Sequence, residues 1–285
     1  MIEKNADLHM HSTASDGGYS PSELVQKCKE QGLTIISLTD HDTVAGVSEA
    51  IEAGQALGLK VIPGIEFSTK ANGKSVHILG YGIDITNRAL LHMLEQQRIQ
   101  RRNRLDVILS KLHQVGITLQ AEDVLQFVDG GSIGRPHVAK ALIQKGYVTD
   151  VAEAFDRYLA EGQPCYVSKE KEMTPEEAFT WIHQTGGVAI VAHPVYYGLD
   201  ELIEEWVKTK QLDGIEVYHR DHTRTDVIHY EQLTSRLEQT YDVQLLRTGG
   251  SDFHHEEYGR KREPLGVTRL SSEFAMQLME KLKWQ

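Results

Sequence analysis

The 285-residue sequence predicts an α/β chain, a βα barrel of about seven strand–helix units interrupted by a helical insertion. Three observations predict it. Short apolar runs alternate with segments of helical periodicity through most of the chain. From about Asn87 to Leu159 the helical period persists with no convincing strand. Histidines and carboxylates recur at or just past the predicted strands, where barrels carry their reactive groups.

The first strand covers about Ala6–His9. Ser20-Pro21-Ser22-Glu23 then supplies a cap, a first-turn proline and a capping-box acid, and starts a helix that Gly32 ends. Strands follow over Thr34–Thr39, Lys60–Phe67 and Ser75–Tyr81, with a helix over Thr43–Leu57. Such alternation implies parallel strands joined by crossover helices. Beyond the insertion, Thr174-Pro175-Glu176-Glu177 forms a second capping box. Strand Gly187–Ala192, helix Leu199–Lys208, strand Gly214–Tyr218, helix Asp226–Gln239, strand Gln244–Thr248 and a helix from about Ser272 complete the pattern. The expected division is a barrel over residues 1–86 and 165–285, and an inserted helical substrate-recognition subdomain over 87–164. Within the insertion, Arg98, Arg101, Arg102 and Arg104 make a basic stripe that reads as a solvated helix face.

Composition narrows the class. With 40% hydrophobic and 25% charged residues, and no low-complexity tract, the chain can bury a sizeable core. The start lacks the apolar run of a signal peptide and nothing is long enough to span a bilayer, so a cytoplasmic protein that meets no membrane is expected. Cys28 and Cys165 have no metal-ligand spacing and read as buried thiols. A net charge of −11 weighs against a surface for duplex DNA. A small anion stays compatible with it, because bound cations add positive charge that counting Lys and Arg misses.

The chemistry sits in scattered residues. His9-Met10-His11 places two imidazoles on alternate positions of a strand end, facing the same way. His41 follows Leu38-Thr39-Asp40, Glu66 ends Pro63-Gly64-Ile65, and Asp252 and His254 repeat the spacing of two after another strand. Asp16, His77 and His193 occupy comparable places. Any one of these taken alone reads as structural. Their recurrence at strand after strand reads as convergence in space, and such a cluster is costly to desolvate unless cations compensate it. Imidazole mixed with carboxylate, and no thiolate, points to Mn²⁺, Fe²⁺ or Zn²⁺.

Asp7-Leu8-His9-Met10-His11-Ser12, Thr39-Asp40-His41-Asp42, Pro63-Gly64-Ile65-Glu66, Ala192-His193-Pro194 and Gly250-Ser251-Asp252-Phe253-His254 resemble, in order, the motifs of the PHP (polymerase and histidinol phosphatase) superfamily. The resemblance implies a distorted (β/α)₇ barrel holding two or three divalent metal ions, with Mn²⁺ the first expectation. It implies that His9, His11, Glu66 and Asp252 hold one metal and that Glu66, His77 and His193 hold a second. Asp16, His41 and His254 would hold a third, with Asp16 standing where some members have histidine. The insertion, carrying Gly134-Arg135-Pro136-His137, is similar to that of the TrpH/YciV-like subgroup. That likeness implies hydrolysis of the 3′-phosphate of 3′,5′-nucleoside bisphosphates such as pAp, and trimming of short single-stranded, 5′-phosphorylated RNA. Arg135 and His137 would contact the substrate's phosphate; both also suit the start of a helix, itself an anion site.

Metals in such a centre lower the pKa of water, and Asp16, His219 and His254 are the candidate acids for the leaving oxygen. Glu216, Tyr218, His219 and His222 are expected to back the ligands. Arg247 and Lys169 are further candidates for phosphate. Three alternatives stand beside this reading. An amidohydrolase also carries HxH after its first strand, but bridges its metals with a lysine carboxylate. A histidinol-phosphate phosphatase shares the metal set. A non-catalytic metal-binding module would be marked by lost ligands, whereas all nine positions are filled here.

Overall fold

The computed structural model describes residues 4–128, 133–168, 172–257 and 264–283. Its strands form one sheet in the order β7-β6-β5-β4-β3-β2-β1-β8. β1 (Lys4–Asp7), β2 (Ile35–Leu38) and the start of β3 (Lys60–Ala71) run parallel, as do β5 (Val188–Val191), β6 (Gly214–His219) and β7 (Leu246–Gly250). The ring closes past the ends of β1 and β7. There the Leu8 amide donates to Gly249 O at 3.1 Å and the His11 amide to Phe253 O at 2.9 Å. β8 (Leu270–Ser271) is a two-residue strand antiparallel to β1. The α/β barrel with a helical insertion is the fold the sequence predicts.

One expectation is corrected. β4 (Lys74–Tyr81) is not a parallel strand; it is antiparallel to both β3 and β5. β3 runs past the predicted end at Phe67 to Ala71, and a two-residue turn at Asn72 (φ 50°) and Gly73 (φ 79°) folds the chain back. Both turn residues need the left-handed region, which Asn-Gly supplies at little cost, and that dipeptide is a strong hairpin signal. The hairpin sets Ser68 opposite His77 and Glu66 opposite Leu79. Glu66, Ser68 and His77 therefore share a face.

Helices α1 (Pro21–Glu30) and α7 (Pro175–Gln184) carry the predicted capping boxes, Ser20 with Glu23 and Thr174 with Glu177. α2 (Val47–Leu57) starts later than its pattern suggested. In the insertion, α3 (Arg88–Gln114) is followed by the short α4 (Ala121–Leu125), then α5 (Arg135–Gln144) and α6 (Val151–Ala154), which ends in a π turn over Phe155–Leu159. At 27 residues α3 spans about 40 Å. Its first half buries Leu90 and Leu94 in the barrel's core, while Leu105, Ile108 and Leu112 pack with Val138 and Leu142 in a separate core. The helix is thus the rigid link that holds the insertion over one end of the barrel. α8 (Asp200–Lys208), α9 (Arg224–Tyr241) and α10 (Ser272–Lys281) complete the outer layer. No helix among the described residues is long and apolar enough to cross a membrane.

Gly250 marks the tightest part of the closure. A Cβ there would lie 2.4 Å from His9 N and 2.5 Å from His9 Cβ. Gly250→Ala is expected to destabilise the fold by about 1–3 kcal/mol or more, since backbone leaves little room to relax. The denaturation midpoint measures it, and an unchanged midpoint would contradict this view of the closure.

Candidate metal centre

Strand ends deliver the site. His9 and His11 follow β1, His41 follows β2, Glu66 lies within β3, and His77 sits near the start of β4, at the same rim because that strand is reversed. His193 follows β5, His219 ends β6, and Asp252 and His254 follow β7. His193 (φ 25°) and Asp252 (φ 47°) occupy backbone conformations that side-chain-bearing residues seldom adopt. The chain turns out of each strand at that residue, and the turn aims its side chain across the rim.

Glu66 is the hub. Its Oε2 lies 3.3 Å from His9 Nε2, 3.2 Å from His11 Nε2 and 3.0 Å from His41 Nδ1. Its Oε1 lies 2.9 Å from His77 Nδ1 and 3.1 Å from His193 Nε2. Two sets of imidazoles therefore meet on the two oxygens of one carboxylate. Asp252 Oδ1 joins the first set, 3.1 Å from His11 Nε2 and 3.5 Å from His9 Nε2. A further group gathers His11, Asp16, His41 and His254, with His254 Nε2 3.4 Å from Asp16 Oδ1. All nine residues singled out in the sequence thus share one rim, though His41 reaches Glu66 as well as Asp16's group.

These residues fit divalent cations. His9 Nε2, His11 Nδ1, His41 Nδ1 and Glu66 Oε2 are buried and have no hydrogen-bond partner among the described residues. Buried polar atoms are rarely left so, and of these His9 Nε2 and His41 Nδ1 both face Glu66 Oε2, at 3.3 and 3.0 Å. Burial by itself would raise the Glu66 carboxyl, but the facing His41, His9 and His77 outweigh it and hold it well below the usual carboxylate range. The donor set, nitrogen and oxygen without sulfur, suits Mn²⁺, Fe²⁺ or Zn²⁺.

A polar layer behind the cluster fixes it. Glu216 Oε1 accepts from His9 Nδ1 at 2.9 Å and Oε2 accepts the His193 amide at 2.8 Å. A carboxylate cannot donate, so the proton sits on His9 Nδ1 and Nε2 is left as a ligand atom. Burial pushes Glu216 up, yet His9 outweighs it and leaves the pKa at about 2. The Tyr197 hydroxyl lies 2.8 Å from His193 Nδ1 and accepts the His77 amide at 2.9 Å. Asp7 accepts from the Ser251 amide and hydroxyl, and Asp40 from Ser12 and Ser15, tying the β1 end to its neighbours. Arg220 donates to the carbonyls of Ser251 and Asp252 and to Asp252 Oδ2, which braces the strained turn.

Asp7 and Asp40 stood inside the sequence motifs without an assigned role. Tyr197 and Arg220 carried no local signal, because their partners are remote in sequence. Of the four residues expected to back the ligands, Glu216 and His219 reach the cluster, with His219 Nε2 3.4 Å from Asp252 Oδ2. Tyr218 instead bonds Glu231, and His222 bonds Val217 O.

Above the cluster lies a cleft of about 560 Å³ whose far wall is the insertion. Arg101, Arg104 and Arg135 line it, so half of the basic stripe faces the site rather than solvent. Arg98 behaves as a solvated residue should, exposed and paired with Glu95, and Arg102, half-buried, is not part of the cleft's lining. Arg101 bonds Asp42 and Ser68. Arg104 Nε donates to Val167 O and Arg135 Nη1 to Leu159 O; neither forms an ion pair among the described residues. Burial, and then Arg104 beside it, depress Arg101 to about 10. Like charges held together in this way favour an anion between them.

His137 sits differently from Arg135. It is fully buried, with Nδ1 accepting the Gly134 amide at 2.9 Å and Nε2 2.6 Å from Ser15 O. Burial lowers its pKa to about 4. Both nitrogens are spent on backbone, so it joins the first turn of α5 to the loop that carries Asp16. Arg247 lies outside the cleft, bound to Glu231 and Glu238 on α9, which corrects its candidacy for phosphate. Lys169 falls outside the described residues.

Imidazoles and carboxylates converging at a barrel rim, opposite a wall of arginines, define the class: a metal-dependent phosphoesterase. The model of the PHP domain matches residues 7–266, and this chain belongs to that family. It is 36% identical to the 5′-3′ exoribonuclease of Haemophilus influenzae, over 89% of this chain and 91% of that protein. The 3′,5′-nucleoside bisphosphate phosphatase of Chromobacterium violaceum is 33% identical, over 88% of this chain and 87% of its own length. A crystal structure from Bifidobacterium adolescentis, assigned as a metal-dependent phosphoesterase, superposes with a TM-score of 0.87 at 28% identity, covering 98% of this chain and 96% of that one.

Glu216→Gln is expected to weaken metal binding about 10–100-fold. The amide can accept from His9 or face the His193 amide, but its NH₂ then opposes a donor at one of the two. Calorimetric titration with Mn²⁺ tests this, and an affinity equal to the parent's would refute it.

Proposed function

We propose that this protein hydrolyses the 3′-phosphate of 3′,5′-nucleoside bisphosphates, and the corresponding bond of short 5′-phosphorylated RNA. One observation carries the reading: two separate devices for anions face each other across a single cleft, the Glu66-centred cluster and the guanidiniums of Arg104 and Arg135, which form no ion pair among the described residues. A monophosphate needs only one of them. A substrate with two phosphates uses both, and the names of the relatives from Haemophilus influenzae and Chromobacterium violaceum agree with it.

The metal ligands in this reading are His9, His11, Asp16, His41, Glu66, His77, His193, Asp252 and His254, and the metal is Mn²⁺. When bound, the cations supply a Lewis acid for the phosphoryl oxygens and a water of lowered pKa. Glu66 fixes the spacing of the two principal ligand sets through its two oxygens. Arg104 and Arg135 hold the phosphate that does not react, which orients the sugar so that the scissile group lies over Glu66. Among the three candidate acids, Asp16 and His254 line the cleft, whereas His219 sits behind Asp252 and holds that carboxylate in place. With two cations bound, His254 and Asp16 would be free to pass a proton to the leaving oxygen; with three, both residues would serve as ligands. Residues 87–164 act here as the substrate-recognition unit and residues 1–86 with 165–285 as the metal-binding barrel.

Protein supplied with Mn²⁺ is expected to release inorganic phosphate from adenosine 3′,5′-bisphosphate, and a chelator to stop it. His9→Ala and Asp252→Ala should each lower kcat by about a thousandfold or more, with an unchanged far-UV spectrum, because cation stabilisation of the transition state is worth several kcal/mol. A phosphate-release assay decides this, with histidinol phosphate and 5′-phosphorylated oligoribonucleotides run beside it. Silence on all three substrates from metal-loaded protein would overturn the proposal.

Arg104→Ala or Arg135→Ala should raise KM for the bisphosphate about 10–100-fold with a smaller change in kcat, the loss of a charge-assisted contact to a non-reacting group. Steady-state kinetics separates the two constants. A fall in kcat alone would place these arginines at the reacting phosphate instead.

A further inference from the structure

We infer that the ring of Tyr196 is a stacking platform for the nucleobase of the substrate, at the end of the cleft opposite the arginines. The inference rests on the phosphoesterase reading above and adds to it the part of the ligand that neither cluster accounts for.

A single exposed aromatic ring on a protein surface ordinarily needs no explanation. Tyr196 differs in position and in rigidity. It is 55% exposed, and among the large exposed hydrophobic residues it is the one that lines the cleft. It lies in the short turn Pro194–Tyr196 directly after the ligand His193, whose own φ is 25°. Its ring centroid is 5.2 Å from that of His193 and 6.1 Å from that of His219, and its hydroxyl bonds Asp221. The ring is thus held by two neighbouring imidazoles and at its hydroxyl, while the residue as a whole stays more than half exposed. A flat apolar face held in place loses little entropy when a second flat group lands on it.

The other aromatic residues of the cleft are already committed. Tyr197 is buried and its hydroxyl serves His193 and His77. Phe155 and Tyr166 each have the Arg135 guanidinium 5.4 Å from the ring centroid. Charge then distinguishes the two ends of the cleft. At the insertion end Arg104 and Arg135 attract phosphate. At the Tyr196 end the Asp221 carboxylate bonds the hydroxyl and is itself paired with Arg220 Nε at 3.4 Å, while the rest of the Arg220 guanidinium is turned inward onto Asp252. With these charges already paired to each other, a phosphate gains less there than at Arg104 and Arg135, whereas an uncharged planar base needs no cation. The substrate is therefore laid out with its non-reacting phosphate at Arg104 and Arg135, its scissile group over Glu66 and its base on Tyr196.

Stacking of a base on an aromatic side chain contributes about 1–3 kcal/mol, or about 5–150-fold in affinity. The test compares adenosine 5′-monophosphate with ribose 5-phosphate by calorimetry on Mn²⁺-loaded full-length protein, for the parent, Tyr196→Ala and Tyr196→Phe. Parent protein should bind the adenosine compound at least about fivefold more tightly; Tyr196→Ala should remove that preference, and Tyr196→Phe should keep it to within about threefold. In kinetics, Tyr196→Ala should raise KM for adenosine 3′,5′-bisphosphate far more than for its abasic analogue. Equal weakening of both ligands by Tyr196→Ala, or a parent protein indifferent to the base, would overturn the inference. Failure to release phosphate from any substrate, with the base preference intact, would instead overturn the proposed reaction and leave the platform standing.

Discussion

A carboxylate and its ring of imidazoles, taken out of water together, set the terms for the rest of this structure. Glu66 is fully buried, and so are His9 and His11, the first of the five imidazoles that approach its two oxygens. An isolated carboxylate in such a place would give up its charge. Here the surrounding imidazoles keep it ionised, and His9 Nε2 and His41 Nδ1 face it with no hydrogen-bond partner among the described residues. That arrangement is stable as a site for cations and is hard to explain as packing.

The barrel's irregularity follows from the same demand. A run of parallel strands would place only residues beyond the strand ends at the rim. By reversing β4, the Asn72-Gly73 turn brings His77 beside Glu66 inside the sheet itself, so both oxygens of the carboxylate acquire partners. The left-handed backbone at His193 and Asp252 is a further local concession, braced by Arg220 and by the Glu216 and Tyr197 contacts around His193. Strain of this sort persists where the surroundings over-determine it.

The insertion adds what the barrel lacks. With a net charge of −11, the chain gathers Arg101, Arg104 and Arg135 in one wall, and α3 holds that wall over the rim because its two halves are anchored in different cores. His137 and Lys140 tie α5 to the backbone of the Ser15–Asp16 loop, which couples the position of the insertion to a proposed ligand. The cation-binding cluster below and the guanidiniums above give the cleft the two anion-holding sites that the proposed bisphosphate requires.

Sequence by itself determined the βα alternation, both capping boxes, the strand-free insertion and the identity of the nine clustered residues. Each of those signals is local: a period, a cap, or a polar side chain set against the apolar run that precedes it. Only the tertiary structure decided the rest, since it depends on partners far apart along the chain. Whether Arg101 and Arg104 meet solvent or the cleft is fixed by the direction in which α3 leaves the barrel, which the charge run does not encode. His137 read as a phosphate contact beside Arg135, yet its two nitrogens are claimed by backbone from its own turn and from Ser15. The reversal of β4 was the one such feature written plainly in a dipeptide, and parallel alternation on either side obscured it. Glu216 is expected behind the ligands and is found there, whereas Tyr197 and Arg220 acquire their roles only when a folded neighbour presents an imidazole or a strained carbonyl for them to hold.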